Sequence, residues 1–246
     1  ICDLSEEYNV FNYQKAVYPI FDDIILRKKL PVIAGGTGLY LDAIIRGYDL
    51  VDVPENKELR EELNKKSLDD LVKILLDLLP DYHQKSDFLE KDRVIKAIEI
   101  ETAKREKGDE LRAKMYPRPN IKPLIIGTTL ERADLWNNIS IRLKERLNNG
   151  MIEEVESIHN AGYSWERLEK LGLEYRFCSF YLQGKISSTE DLYNQLFIAI
   201  RQFAKRQETW FRFMEKNGVN IKRLEKTTKI ERINQAIKLV KESFSF

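Results

Sequence analysis

The stretch Pro31-Val-Ile-Ala-Gly-Gly-Thr-Gly-Leu-Tyr-Leu-Asp42 most constrains what this chain can fold into. Val32, Ile33 and Ala34 make a short apolar run suited to a fully buried strand, and Gly35, Gly36, Thr37 and Gly38 lead from it into a helical pattern through Leu39, Tyr40, Ile44 and Ile45. Strand, glycine turn and helix is how α/β proteins build ligand sites. The glycines let backbone approach a ligand, and the free N–H groups at the helix start favour an anion or an ordered polar group. A turn that needs small residues only for tight strand–helix packing is the alternative, and the pattern leaves both open. Neither common nucleotide fingerprint is met. Leu41 stands where the dinucleotide motif needs a third glycine, and the only Gly-Lys pair, Gly184-Lys185, runs into Ile186 rather than Ser or Thr.

With 246 residues, 43% of them apolar, the chain can bury a sizeable core as one large or two small domains. The net charge of +1 does not announce a nucleic-acid partner, so any such contact falls to local basic patches. Cys2 and Cys178 lie far apart, and His83 and His159 show no ligand spacing with them or with each other. No zinc site or disulfide framework is read, which fits a reducing compartment. No apolar run approaches a membrane span and nothing resembles a secretory signal. The sequence begins at Ile1, inside what reads as an ordered element (Ile1 to Leu4), and is taken as a fragment whose N-terminal part is missing.

In chain order, Ser5, Glu6 and Glu7 precede a helical pattern that ends at Arg27-Lys28-Lys29, an acid-to-base polarity that suits the helix dipole. After the glycine turn the pattern stops at Gly47. From Glu55 to Lys114 only helical patterns appear: Glu55 to Lys65, a second opened by Ser67 and Asp70 at capping-box spacing, and a third from Lys91. Residues 53–119 are therefore expected to be a helical insertion between residues 1–52 and 120–246, bounded by prolines. Pro123 to Gly127 returns to a buried strand, followed by a helix from Arg132 that Gly150 kinks or ends. Further helical patterns run over Ile152 to Ile158, Leu168 to Tyr181 and Ser188 to Met214. Val219 to Ile221 reads as an edge strand before a terminal helix from Ile230 to Glu242.

On the long helix from Ser188, an apolar stripe (Tyr193, Leu196, Ile200, Phe203, Trp210, Phe211, Met214) opposes Arg201, Lys205 and Arg212, which read as a solvated face or, as the lesser alternative, as a phosphate-binding one. Arg142 flanks the apolar stripe of its own helix, where a guanidinium could reach over the sheet edge towards the glycine turn and hold a diphosphate bidentately. A snorkelling surface arginine fits the same pattern.

Four stretches occur in order and at suitable separations: Gly35-Gly-Thr-Gly-Leu-Tyr40; Asp92-Arg-Val-Ile-Lys-Ala-Ile-Glu99; Tyr175-Arg176 with Leu182-Gln-Gly-Lys-Ile-Ser187; and Ala204-Lys-Arg-Gln-Glu-Thr-Trp-Phe-Arg212. With them the chain resembles the tRNA dimethylallyltransferases over essentially all its length. The resemblance implies a P-loop-kinase-like parallel-sheet α/β core with a mostly helical insertion that clamps the anticodon stem. It also implies transfer of a dimethylallyl group from dimethylallyl diphosphate to N6 of the adenosine next to the anticodon, with Mg²⁺ helping to stabilise the leaving diphosphate, in a cytoplasmic monomer. An extruded base presented in a channel suits an adenine amine that is a poor nucleophile when stacked.

By matching position, the resemblance implies that Arg142 is the arginine on the leaving diphosphate. It implies that Thr37 and Arg60 contact the tRNA, as do Asp92, Arg93, Val94, Ile95 and Lys96, and then Leu171, Gly172, Leu173, Glu174, Tyr175 and Arg176. Such contacts suit RNA, where splayed bases and backbone are read. The family's phosphate loop and general-base aspartate have no counterpart in these residues, no metal ligand is assigned, and the fragment alone is expected not to turn over. Lys96 stands where an arginine is usual, and Gly172-Leu-Glu-Tyr-Arg176 departs from the usual run. An adenylate isopentenyltransferase of the cytokinin type, or a non-catalytic tRNA-binding remnant, are the alternative readings.

Overall fold

A computed structural model of the chain describes residues 1–80, 82, 87–225 and 227–244; His83 lies outside the described residues. The helices are α1 (Val10–Leu26), α2 (Gly38–Arg46), α3 (Lys57–Asn64), α4 (Leu68–Leu78) and α5 (Lys91–Ala113), then α6 (Arg132–Asn148), α7 (Met151–Asn160), α8 (Trp165–Lys170), α9 (Leu173–Leu182), α10 (Thr189–Lys216) and α11 (Lys229–Ser243). Two strands, β1 (Ile125–Gly127) and β2 (Ile221–Arg223), pair in parallel with Ile125 opposite Ile221. The architecture is an α/β fold, mostly helical with a small parallel sheet. No helix among the described residues is long and apolar enough to cross a membrane.

The chain divides into two compact units. One comprises Ile1–Tyr8, Ala34–Ile45 and Ile121–Phe246, the other Asn9–Ile33 and Arg46–Asn120. In the second unit, Leu63 of α3, Leu71 and Leu75 of α4, and Val94, Ile95 and Ile98 of α5 share one core. Local chemistry sets its helix starts: Asn56 Oδ1 accepts from Leu59 N at 3.1 Å, and Ser67 Oγ accepts from Asp70 N at 3.2 Å, satisfying amides that have no partner within the helix. Helix α5 breaks its regular geometry at Lys107 (φ −137°, ψ 24°), beside Gly108, whose flexibility weakens helix persistence.

In the first unit, Leu143, Met151, Val155, Leu168, Cys178, Ile186, Leu192 and Leu196 build the core between α6 and α10. Gly150 ends α6 by adopting φ 89°, a left-handed conformation that glycine enters without a Cβ clash. Arg223 of β2 donates to Glu215 at 2.9 Å and to Glu208 at 3.0 Å, fastening the strand to α10. The region from Leu168 to Tyr181 resolves into two helices, α8 and α9, separated at Gly172.

Three sequence expectations are corrected. Val32–Ala34 is not a buried strand: it pairs with no strand among the described residues, and Val32 is 78% exposed. An apolar run becomes a buried strand only where a ladder partner and two covered faces exist. Helix α1 is capped by Asn9 Oδ1 on Asn12 N (3.0 Å), leaving Glu6 and Glu7 before the helix and no acid in its first turn. Residues 1–4, read as an ordered element, form neither helix nor strand; Asp3 accepts from Ser5, and the Arg167 guanidinium donates to the carbonyls of Leu4 and Glu6.

Candidate functional site

The glycine turn is shaped by α10. Gln207 Nε2 donates to the Gly36 carbonyl at 2.8 Å, and a Cβ on Gly36 would stand 2.6 Å from that nitrogen. A Cβ on Gly38 would collide with the Trp210 ring, whereas one on Gly35 would meet open space. Close packing thus accounts for Gly36 and Gly38, and only Gly35 retains the room for ligand approach that the sequence left open. Thr37, exposed at the tip, closes the turn by accepting from Tyr40 N (3.0 Å) and Leu41 N (3.2 Å) through its carbonyl. Tyr40 in turn donates to the Tyr8 carbonyl at 3.2 Å. The sequence reading gives Gln207 no role and Trp210 only a place in an apolar stripe; the contact each makes at a glycine is what finds them.

Arg142 is exposed on α6, and no hydrogen bond or ion pair engages its guanidinium among the described residues. A fully charged, unpaired guanidinium has all five donors available to an anion. The basic face expected on α10 is divided. Arg201 lies over the Trp136 ring at 3.6 Å and Arg212 pairs with Glu208 at 3.1 Å, so Arg201 is a stacked cation rather than a solvated one.

In the second unit, Arg60 of α3 grips Glu99 of α5 side-on, with Nε to Oε1 and Nη2 to Oε2 both at 3.1 Å. Lys96 Nζ reaches the same carboxylate at 2.8 Å and the Asn56 amide donates to it at 2.6 Å, while Glu99 itself is 1% exposed. Burial pushes the Glu99 carboxyl up, but the donors from Arg60, Lys96 and Asn56 outweigh it, so the group ends at about 2. Arg93 is exposed and paired with Glu90 at 3.0 Å, and Asp92 is exposed. Val94 and Ile95 are core residues. Their side chains are turned into the core, because the α5 turn that exposes Asp92 and Arg93 points the next two inwards.

Segment 171–176 behaves similarly. Leu171, Leu173 and Tyr175 pack on the first unit's core, while Gly172 (φ 142°) and Arg176 face outwards. Glu174 pairs with Arg146 at 2.8 Å, and Tyr175 donates to Glu154. Burial and that bond push the Tyr175 phenol up to about 12. Arg176 Nε donates to the Glu169 carbonyl at 2.9 Å at the rim of an open cleft of about 790 Å³, whose walls include Lys170, Phe177, Phe180 and Arg206. No group of three or more His, Cys, Asp or Glu among the described residues is placed to hold a metal ion.

A family model described as IPP transferase matches residues 1–214. The tRNA dimethylallyltransferase 2 of Treponema denticola is 53% identical over 221 residues, which is 90% of this chain and 74% of that protein. Among solved structures, the full-length tRNA isopentenylpyrophosphate transferase of Bacillus halodurans is 27% identical with a TM-score of 0.62, covering 99% of this chain and 78% of that one. A eukaryotic dimethylallyltransferase acting on tRNA gives a TM-score of 0.74 at 21% identity, over 99% of this chain and 63% of that one, and this likeness shows the fold alone.

Proposed function

Because the chain belongs to the IPP transferase family, we propose that it serves the transfer of a dimethylallyl group from dimethylallyl diphosphate to N6 of the adenosine adjacent to the anticodon of tRNA. The observation that carries this reading is the family match across residues 1–214. In the reaction the N6 lone pair forms a bond to the allylic carbon, the carbon–oxygen bond to diphosphate breaks, and the amine loses a proton. An unpaired guanidinium such as that of Arg142 suits the charge that gathers on the departing diphosphate. In this reading Thr37 touches the target nucleotide; the turn that carries it is held by the α2 start and by Gln207 and Trp210. Arg60, Asp92, Arg93 and Lys96 in one unit, and Gly172 and Arg176 in the other, supply RNA contacts.

The allyl donor, a monomeric protein and a cytoplasmic setting belong to the same reading, as does Mg²⁺. Binding of an anticodon stem-loop with adenosine after the anticodon, competed with AMP, tests the acceptor. Saturable stem-loop binding that excess AMP does not displace is the expected result. Displacement by AMP at comparable affinity would favour the small-acceptor alternative, and no stem-loop binding would contradict the proposal.

A further inference from the structure

Glu99 is a fully buried carboxylate held by two side chains expected to face RNA, Arg60 and Lys96, and by one backbone amide. Its oxygens take two bonds from Arg60, one from Lys96 and one from the amide of Asn56, the residue that caps α3. The Arg60 grip is made through Nε and Nη2, so the Nη1 edge is left outside the fork, with the exposed Glu55 at 3.9 Å and the field of Asp92 also acting on the guanidinium. The Arg60 side chain remains 31% exposed. A guanidinium bound along one edge presents its opposite edge in a fixed direction, which a freely rotating arginine does not. Lys96 is fixed in the same way, its Nζ also donating to the Val53 carbonyl at 3.3 Å. We infer that Glu99 is a positioning residue for tRNA: it pre-orders Arg60 and Lys96, and with them the start of α3, as one rigid basic edge for the RNA backbone. This rests on the reading of Arg60 and Lys96 as RNA contacts.

The opposite effect is physically available, since one carboxylate beside two cations also cancels charge. If cancellation dominates, removing the Glu99 charge tightens RNA binding. If positioning dominates, it weakens binding, because the donors swing freely and must be ordered at each encounter. Glutamine keeps the size of Glu99 but turns one acceptor into a donor, which faces Arg60 or Lys96 unfavourably.

The experiment titrates the full chain with an anticodon stem-loop across a salt series, for Glu99→Gln, Arg60→Ala, Arg60→Lys and the unsubstituted protein, with melting curves to confirm folding. Glu99→Gln is expected to weaken binding by about ten-fold, in keeping with a lost charge-assisted bond, and to flatten the salt slope by about one contact. Arg60→Lys keeps the charge but not the fork, and is expected to lose most of what Arg60→Ala loses; this variant decides the matter if Glu99→Gln does not fold. Tighter binding by Glu99→Gln, or unchanged affinity and slope with only a lower melting temperature, overturns the inference, as does wild-type binding by Arg60→Lys. If Arg60→Ala itself leaves affinity and slope unchanged, the RNA-facing reading of Arg60 is wrong and the inference falls with it. If Arg60→Ala weakens binding and Glu99→Gln does not, only the role of Glu99 fails.

Discussion

Gln207 donates to the carbonyl of Gly36 at 2.8 Å across 171 residues of sequence, and one helical turn further along α10 the ring of Trp210 fills the space where Gly38 would otherwise carry a Cβ. The glycine turn therefore takes its shape from a helix near the other end of the chain. Gly38→Ala forces an indole out of place and is expected to cost about 1–3 kcal/mol, as overpacking does. Gln207→Ala removes one hydrogen bond and is expected to cost about 1 kcal/mol. Denaturant unfolding of both variants checks the order; equal and negligible losses would mean that α10 does not set the turn.

Arg142 is expected to behave in the opposite way, because it is exposed and engages no partner among the described residues. Arg142→Ala should change stability by less than about 0.5 kcal/mol while weakening diphosphate binding by roughly ten-fold. Calorimetric titration with inorganic diphosphate, alongside a melting curve, separates the two effects.

Acid stability follows from Glu99. Its carboxyl lies at about 2 in the folded protein against a usual 4.5, so the folded state binds its proton later than the unfolded chain does. The contribution is fully present above about pH 4.5 and is lost as the pH falls towards 2. At neutral pH it amounts to about 3 kcal/mol by the ordinary conversion of a shift into free energy. Unfolding followed between pH 6 and 2 should show the unsubstituted protein losing stability more steeply than Glu99→Gln in the acidic part of that range.

The two cysteines should differ in reactivity. Cys2 is exposed, whereas Cys178 is buried in the first unit's core and burial pushes its thiol up to about 12. A maleimide at neutral pH is expected to label Cys2 alone in the folded chain and both residues after denaturation. Prompt labelling of Cys178 under native conditions would show that its core opens readily.

Much of this was legible in the sequence where the signal is local. The Ser67–Asp70 spacing gave the α4 cap, Gly47 and Gly150 marked helix ends, and the return to a strand after Pro123 corresponds to β1. What depends on distant partners was not. Val32–Ala34 has the composition of a buried strand, but burial is decided by what lies alongside it. Arg60 and Lys96 could be matched to a motif, yet nothing in their spacing reveals that a carboxylate 39 residues from Arg60 holds both. Val94 and Ile95 sit inside the same motif as Asp92 and Arg93, and only the helix phase separates core from surface.

If the segments holding Thr37, Arg60, Arg93 and Arg176 meet the anticodon arm of tRNA, photo-crosslinking of a thiouridine-substituted anticodon stem-loop to the full chain, with the attached peptides mapped by mass spectrometry, will find it. Attachment within the peptides holding Thr37, Arg60, Arg93 and Arg176, suppressed by unlabelled stem-loop and not by AMP, is the result expected. Crosslinks confined to other surfaces, such as α11, or none that unlabelled stem-loop suppresses, would contradict it.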